Sequence, residues 1–194
     1  MANITASIRH CLSNLTNFTG RDRPGQYWPY TIFLILLQMV VGLAFTLPLI
    51  INSMRAGFDA ARTAAASGGQ VDQAQLQAQM MHETMAVTQD IMPYTIGLGV
   101  LIALLLVAAT VRRLHDRDWS GWWVLLAVAG KVLGIVSGYW TMDIMAADPN
   151  AIMNHMGTLS LLGWLPWVAY IILLVQLVQS GEPSDNRFGP PPAA

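Results

Sequence analysis

The chain has 194 residues and a formal net charge of −1 at pH 7, with 11% charged and 54% hydrophobic residues. An average soluble domain carries roughly 25% charged residues, so this composition excludes a water-soluble globular domain and points to a membrane protein. The near-zero charge argues against a nucleic-acid partner, and the single cysteine, Cys11, excludes an intrachain disulfide or a cysteine-based metal cluster.

Residues 1–19 read as an N-terminal amphipathic helix. Ile4, Ile8, Cys11, Leu12, Leu15 and Phe18 recur at helical spacing on one face. That pattern suits a helix lying on a membrane surface, and equally one packed beneath a bundle. No cleavable signal peptide is expected.

Residues 20–180 form the membrane domain. A helix crosses a bilayer with about 20 apolar residues, and four segments qualify: 30–51, 91–111, 122–140 and 158–178. The third is interrupted by Lys131 and several glycines. Lys and Arg near span ends stay cytoplasmic. Arg9, Arg21, Arg23, Arg112, Arg113, Arg117 and Arg187 fall on one side, Arg55 and Arg62 on the other. Both termini and the 112–118 turn are therefore expected in the cytoplasm.

Between the first two spans, residues 52–90 predict a periplasmic antiparallel helical hairpin. Met54, Phe58, Ala61 and Ala65, then Val71, Ala74, Ala78, Met81 and Met85, follow heptad-like spacing on either side of a turn signal at Gly68-Gly69. Beyond the second span, residues 112–123 hold five charges, a histidine and three tryptophans. In the third span Gly130, Gly134 and Gly138 make a doubled G-x-x-x-G, a helix-packing stripe within the chain or between two copies. Lys131 beside it is an intramembrane polar residue with no carboxylate to pair with in the other spans. Residues 181–194 form a cytoplasmic tail.

Three polar segments thus share one membrane face: Phe18-Thr19-Gly20-Arg21-Asp22-Arg23 leading into Tyr27-Trp28; Arg112-Arg113-Leu114-His115-Asp116 followed by Ser120-Gly121-Trp122-Trp123; and Gly181-Glu182-Pro183 with Asn186-Arg187-Phe188-Gly189-Pro190. The triplet resembles the DUF805 family of uncharacterised bacterial inner-membrane proteins, over nearly the whole chain. It departs from that pattern at Gln26, where the family often has an acid, and at Pro24-Gly25, which replaces a basic stretch. The resemblance implies an all-α, four-helix, multi-pass protein of the bacterial inner membrane. It implies no activity.

The segments juxtapose Arg21, Arg23, Arg112, Arg113, His115, Asp116, Trp122, Trp123, Asn186 and Arg187. Guanidinium forks suit phosphate or carboxylate, so one reading is an anion or lipid-headgroup cluster. The competing reading is a structural lock, the same arginines pairing with Asp22, Asp116, Asp118 and Asp185, with Arg112 and Asp116 one helical turn apart. His115, Asp116 and Ser120 are the residue types of a hydrolase triad, but adjacent His115 and Asp116 diverge on a helix, and no third metal ligand stands at recognisable spacing. No catalytic residue, metal or cofactor is assigned. The expected role is a non-enzymatic interaction or scaffold protein in contact with the lipid bilayer, including anionic lipid, and with a further copy or another membrane protein. A small transporter or channel subunit, and a membrane enzyme using His115 and Asp116, are the alternatives.

Overall fold

A computed structural model describes residues 3–66, 73–147 and 151–192. The elements run α1 (Ile4–Ser13), α2 (Pro24–Ala66), α3 (Gln73–His115), a 3-10 turn (Gly121–Trp123), α4 (Val124–Ala147) and α5 (Ala151–Val178). No strand occurs among the described residues. Four helices are long and apolar enough to cross a membrane, over Pro24–Thr63, Met81–His115, Gly121–Ile144 and Asn154–Val178, and each contains one of the four expected spans. Their apolar side chains face outward: Leu104, Leu161 and Trp164 are 63%, 73% and 71% exposed. Only a hydrocarbon solvent makes that arrangement stable.

The chain divides into two compact units, Met1–Leu34 with Ile102–Ala194, and Ile35–Leu101. In the first, α2 starts at Pro24, where a missing N–H loses no helical bond. Gln26 Oε1 accepts from the Arg23 backbone N–H at 3.2 Å, the reach-back arm of a capping box. The residue that departs from the family's acid therefore still performs a helix-start task. Further along, Tyr27 Oη lies 3.3 Å from Thr110 Oγ1, and Tyr30 Oη donates to the Leu105 carbonyl at 2.9 Å. Residue numbers rise on α2 as they fall on α3, so the two run antiparallel here.

α1 is capped by Asn3, whose side chain accepts from the Thr5 N–H at 3.1 Å. The face it buries overlaps the expected apolar stripe only in part, at Cys11. Ser7 and Cys11 are buried, while Ile4 and Leu12 are exposed. Small side chains let α1 approach the first turn of α2 closely. There Ser7 Oγ donates to the Gly25 carbonyl at 3.1 Å, and the Cys11 thiol to the Gln26 carbonyl at 3.8 Å.

α4 packs on α5 in the same unit. A Cβ built on Gly130 would lie 3.5 Å from the Pro166 Cα, so the glycine lets the proline's backbone come close. Gly134 meets nothing within 4 Å. The stripe expected to act as one packing surface is therefore split, with Gly130 used inside the chain and Gly134 facing open space.

In the second unit Phe45 of α2 stacks on Tyr94 of α3, with centroids 5.9 Å apart and planes at 9°. A shallow groove on α2 is lined by Ile35, Gln38, Met39, Gly42, Leu43 and Thr46. Of the expected heptad seam, Met54 and Phe58 are exposed and Ala61 and Met85 are half-buried, as are Ser53, Gly57 and Ala60. The turn expected at Gly68-Gly69, and Val71 with it, lies outside the described residues.

Candidate functional site

The three polar segments meet in the first unit, organised around two buried carboxylates. Asp22 is one. Its Oδ2 accepts from Arg112 Nε at 2.9 Å and its Oδ1 lies 3.1 Å from His10 Nε2. Arg112 Nη1 donates to the carbonyls of Asn14 (2.8 Å) and Asn17 (2.5 Å). The Asp22 N–H also donates to the Arg112 carbonyl at 3.2 Å. This hub ties α1 and the 14–22 connection to the end of α3.

Asp116 is the other. Its Oδ1 accepts from Arg21 Nε at 3.2 Å, and its Oδ2 from Arg113 Nη1 at 2.5 Å. Arg21 then reaches the tail: Nη1 donates to the carbonyls of Ser184 (2.8 Å) and Gly189 (3.2 Å), and Nη2 to the Glu182 carbonyl. Arg113 turns to the end of α5, donating to the carbonyls of Leu177 (3.1 Å) and Gln179. Arg112 and Arg113 serve different hubs because successive helical residues point about 100° apart. The pair expected between Arg112 and Asp116 does not form. Asp116 lies one residue past the end of α3 and takes Arg113 instead.

Helix ends favour this chemistry. The last carbonyls of a helix are unsatisfied and carry partial negative charge. Arg113 and Arg117 place cations on the exit of α5, Arg117 Nη1 donating to the Ser180 carbonyl at 2.9 Å. α3 is stopped by a left-handed residue, Asp118 (φ 54°); Asp and Asn tolerate that region better than bulky residues.

The tail lies across this turn. Asn186 Nδ2 donates to the His115 carbonyl at 2.9 Å. The Phe188 ring stacks on the His115 ring, 3.7 Å between centroids and 5° between planes. Arg187 pairs with Asp118 at 3.0 Å and lies over the Phe188 ring, 4.8 Å from its centroid. Arg23 donates to the Pro192 carbonyl.

His10 and Ser7 carried no signal in the sequence, and Gly181, part of the third polar segment, is needed because Asp116 presses on it. Burial, reinforced by Asp22 and opposed by Arg112, pushes the Cys11 thiol up to about 11. Trp122 and Trp123 do not join the cluster and are 76% and 43% exposed. Lys131 has no ion-pair or hydrogen-bond partner among the described residues.

The triad residue types do not converge. His115 Nδ1 faces the Gly20 carbonyl at 3.3 Å, Asp116 is held by two arginines, and Ser120 accepts from the Trp122 N–H at the start of the 3-10 turn. Among the described residues no group of three His, Cys, Asp or Glu side chains could hold a metal ion.

Fold and site together define a multi-pass helical membrane protein with an arginine–aspartate clasp joining its N-terminal segment, central turn and tail. A family model for a protein of unknown function, DUF805, matches residues 15–190, and the chain belongs to that family. It is 25% identical over 181 residues to the inner membrane protein YhaH of Escherichia coli strain K12, covering 93% of this chain and 91% of the relative, and equally to YhaH of Escherichia coli O157:H7. No solved structure matches it. The protein is accordingly a multi-pass protein of the bacterial inner membrane.

Proposed function

We propose that the protein is a non-enzymatic interaction or scaffold protein of the inner membrane, with the arginine clasp on the cytoplasmic side as its structural lock. The observation carrying this reading is saturation. All three side-chain nitrogens of Arg21, and all three of Arg113, donate to carboxylates or backbone carbonyls of the chain itself. An arginine engaged in this way holds the protein together and is closed to an outside ligand while the clasp is shut.

Seven of nine arginines lie on the clasp side of the spans, which supports its cytoplasmic placement by the positive-inside rule. The 52–90 region then extends into the periplasm as a helical hairpin. Contact with anionic lipid belongs in this state to the rim, where Arg187, Trp122 and Trp123 are exposed at the depth of lipid headgroups. The exposed Ile4 and Leu12 of α1 suit a helix resting on the same surface.

Two measurements test this. Because Cys11 is buried, a Ser184→Cys variant offers one accessible thiol. It should react with an impermeant maleimide in inverted inner-membrane vesicles and stay protected in intact spheroplasts; the reverse pattern contradicts the orientation. Native mass spectrometry of the detergent-extracted protein reads bound lipid and oligomeric state together. Arg113→Ala should lose folded protein rather than release lipid from a folded one, and the opposite result contradicts the lock.

A further inference from the structure

The two hubs differ in what closes them. The Asp22–Arg112 hub is covered by α1 and the 14–22 connection, with no tail partner among the described residues and with Arg112 Nη2 buried unpaired. The Asp116–Arg21 hub is closed by the tail: carbonyls of Glu182, Ser184 and Gly189 fill the Arg21 fork beside the Asp116 carboxylate. We propose that residues 181–192 are a displaceable strap seated on an anion site centred on Arg21. When the strap lifts, that site takes a phosphate group, carried by a lipid headgroup or free in solution. The proposal rests on the lock reading and adds that one half of the lock opens.

Charge supplies the first argument. Three buried guanidiniums, on Arg21, Arg112 and Arg113, face two buried carboxylates, on Asp22 and Asp116. The balance is taken by carbonyl dipoles, and those on Arg21 come from the tail. A neutral carbonyl is a weaker partner for a guanidinium than an anion, and the fork accepts two phosphate oxygens at once. The tail carbonyls therefore stand where phosphate oxygens would bind more strongly.

The second argument is that polar contacts rather than apolar burial hold the strap. Its aromatic contact is Phe188 on His115; Pro183, Ser184, Asp185 and Arg187 are exposed. Lifting it uncovers little apolar surface, and the freed tail carbonyls pass to water. Arg113 keeps Asp116 and the Leu177 carbonyl, which lies inside α5. The opening is thus separable from unfolding.

The test follows hydrogen exchange in the full chain. The Glu182 N–H donates across to the Asp116 carbonyl and so reports the strap, whereas the Asn186 and Gly189 amides bond each other within the tail; the Asp22 N–H, bonded to the Arg112 carbonyl, reports the other hub. Inorganic phosphate titrated into the detergent-solubilised protein, or phosphatidylglycerol in place of phosphatidylcholine in nanodiscs, should speed exchange at the Glu182 amide and leave Asp22 protected. A response to free phosphate identifies a soluble anion, and a response to phosphatidylglycerol alone identifies a headgroup. An Asn186→Ala/Phe188→Ala variant, which loosens the strap and leaves Arg21 intact, should bind the effective anion about tenfold more tightly, the worth of one lost neutral hydrogen bond and one lost ring contact. Arg21→Gln in that background should cancel the gain. The proposal is overturned if chloride at matched ionic strength does the same. It is also overturned if the Glu182 amide ignores both phosphate sources in wild type and variant. Continued protection of Asp22 in that case leaves the lock reading standing, whereas loss of protection at Asp22 in the untreated wild type contradicts the lock itself.

Discussion

Asp116 Oδ2 lies 1.9 Å from where a Cβ on Gly181 would stand. The contact joins the end of α3 to the first residue of the tail, and it leaves no room for any side chain at 181. Asp116 cannot swing aside, because Arg21 and Arg113 hold its two oxygens. Gly181→Ala should therefore push the tail off the turn at about 1–3 kcal/mol, the usual range for overpacking. Thermal unfolding in detergent, read with exchange at the Glu182 amide, checks this; an unchanged midpoint and a protected amide would show that the turn yields freely.

The two carboxylates should be unequally replaceable by their amides. Asp116→Asn leaves Arg21 and Arg113 buried without a counter-charge, and breaking a buried pair typically costs about 3–5 kcal/mol. Asp22→Asn strips one guanidinium, Arg112, which keeps the Asn14 and Asn17 carbonyls. The expected order of stability is wild type, then Asp22→Asn, then Asp116→Asn, measured as denaturation midpoints in one detergent.

Cys11 gives a pH signature outside the spans. Its thiol is pushed from 9.0 up to about 11 in the folded chain, so the folded state disfavours the thiolate. A group raised in this way contributes stability that is fully present below pH 9, and that stability is lost as pH rises towards 11. Cys11→Ser should flatten that alkaline decline. Alkylation of Cys11 by iodoacetamide at pH 8 should be slow until denaturant opens the clasp; rapid labelling of the native protein would contradict its burial.

Lys131 sits about 10 Å along α4 from Val124, at 1.5 Å per residue. With no partner among the described residues, it stabilises nothing that the structure displays. Lys131→Leu should leave the unfolding midpoint unchanged or raise it, since an intramembrane cation is costly. A large loss of stability would reveal a partner in the assembled protein.

The spans were legible in the sequence because hydropathy over about 20 residues is a strong local signal. The length of α2 and α3, 43 residues each, rested on a different signal, the helical spacing over 52–90, because the apolar windows end where Ala- and Gln-rich helix continues. The meeting of the three polar segments followed from counting spans. Their pairing did not. Whether Arg112 or Arg113 reaches Asp116 depends on where α3 stops, and that is set by one left-handed residue, Asp118. Most acceptors on Arg21 and Arg113 are backbone carbonyls, which leave no mark on residue type. Aromatic character drew Trp122 and Trp123 into the candidate cluster, but the 3-10 turn faces them outward. On α1 Ser7 is inward for closeness rather than hydrophobicity, which an apolar-periodicity rule misses although it finds Cys11.

The lock is tested most directly by a double-mutant cycle on Arg113 and Asp116, using Arg113→Met, Asp116→Asn and the pair, with reversible unfolding followed in mixed micelles. Residues in one buried network couple by about 0.5–3 kcal/mol, whereas independent sites add within about 0.3–0.5 kcal/mol. A lock requires coupling well above the additive limit, with the double variant more stable than the sum of the single losses implies. Strict additivity would show that the two residues do not hold the clasp together.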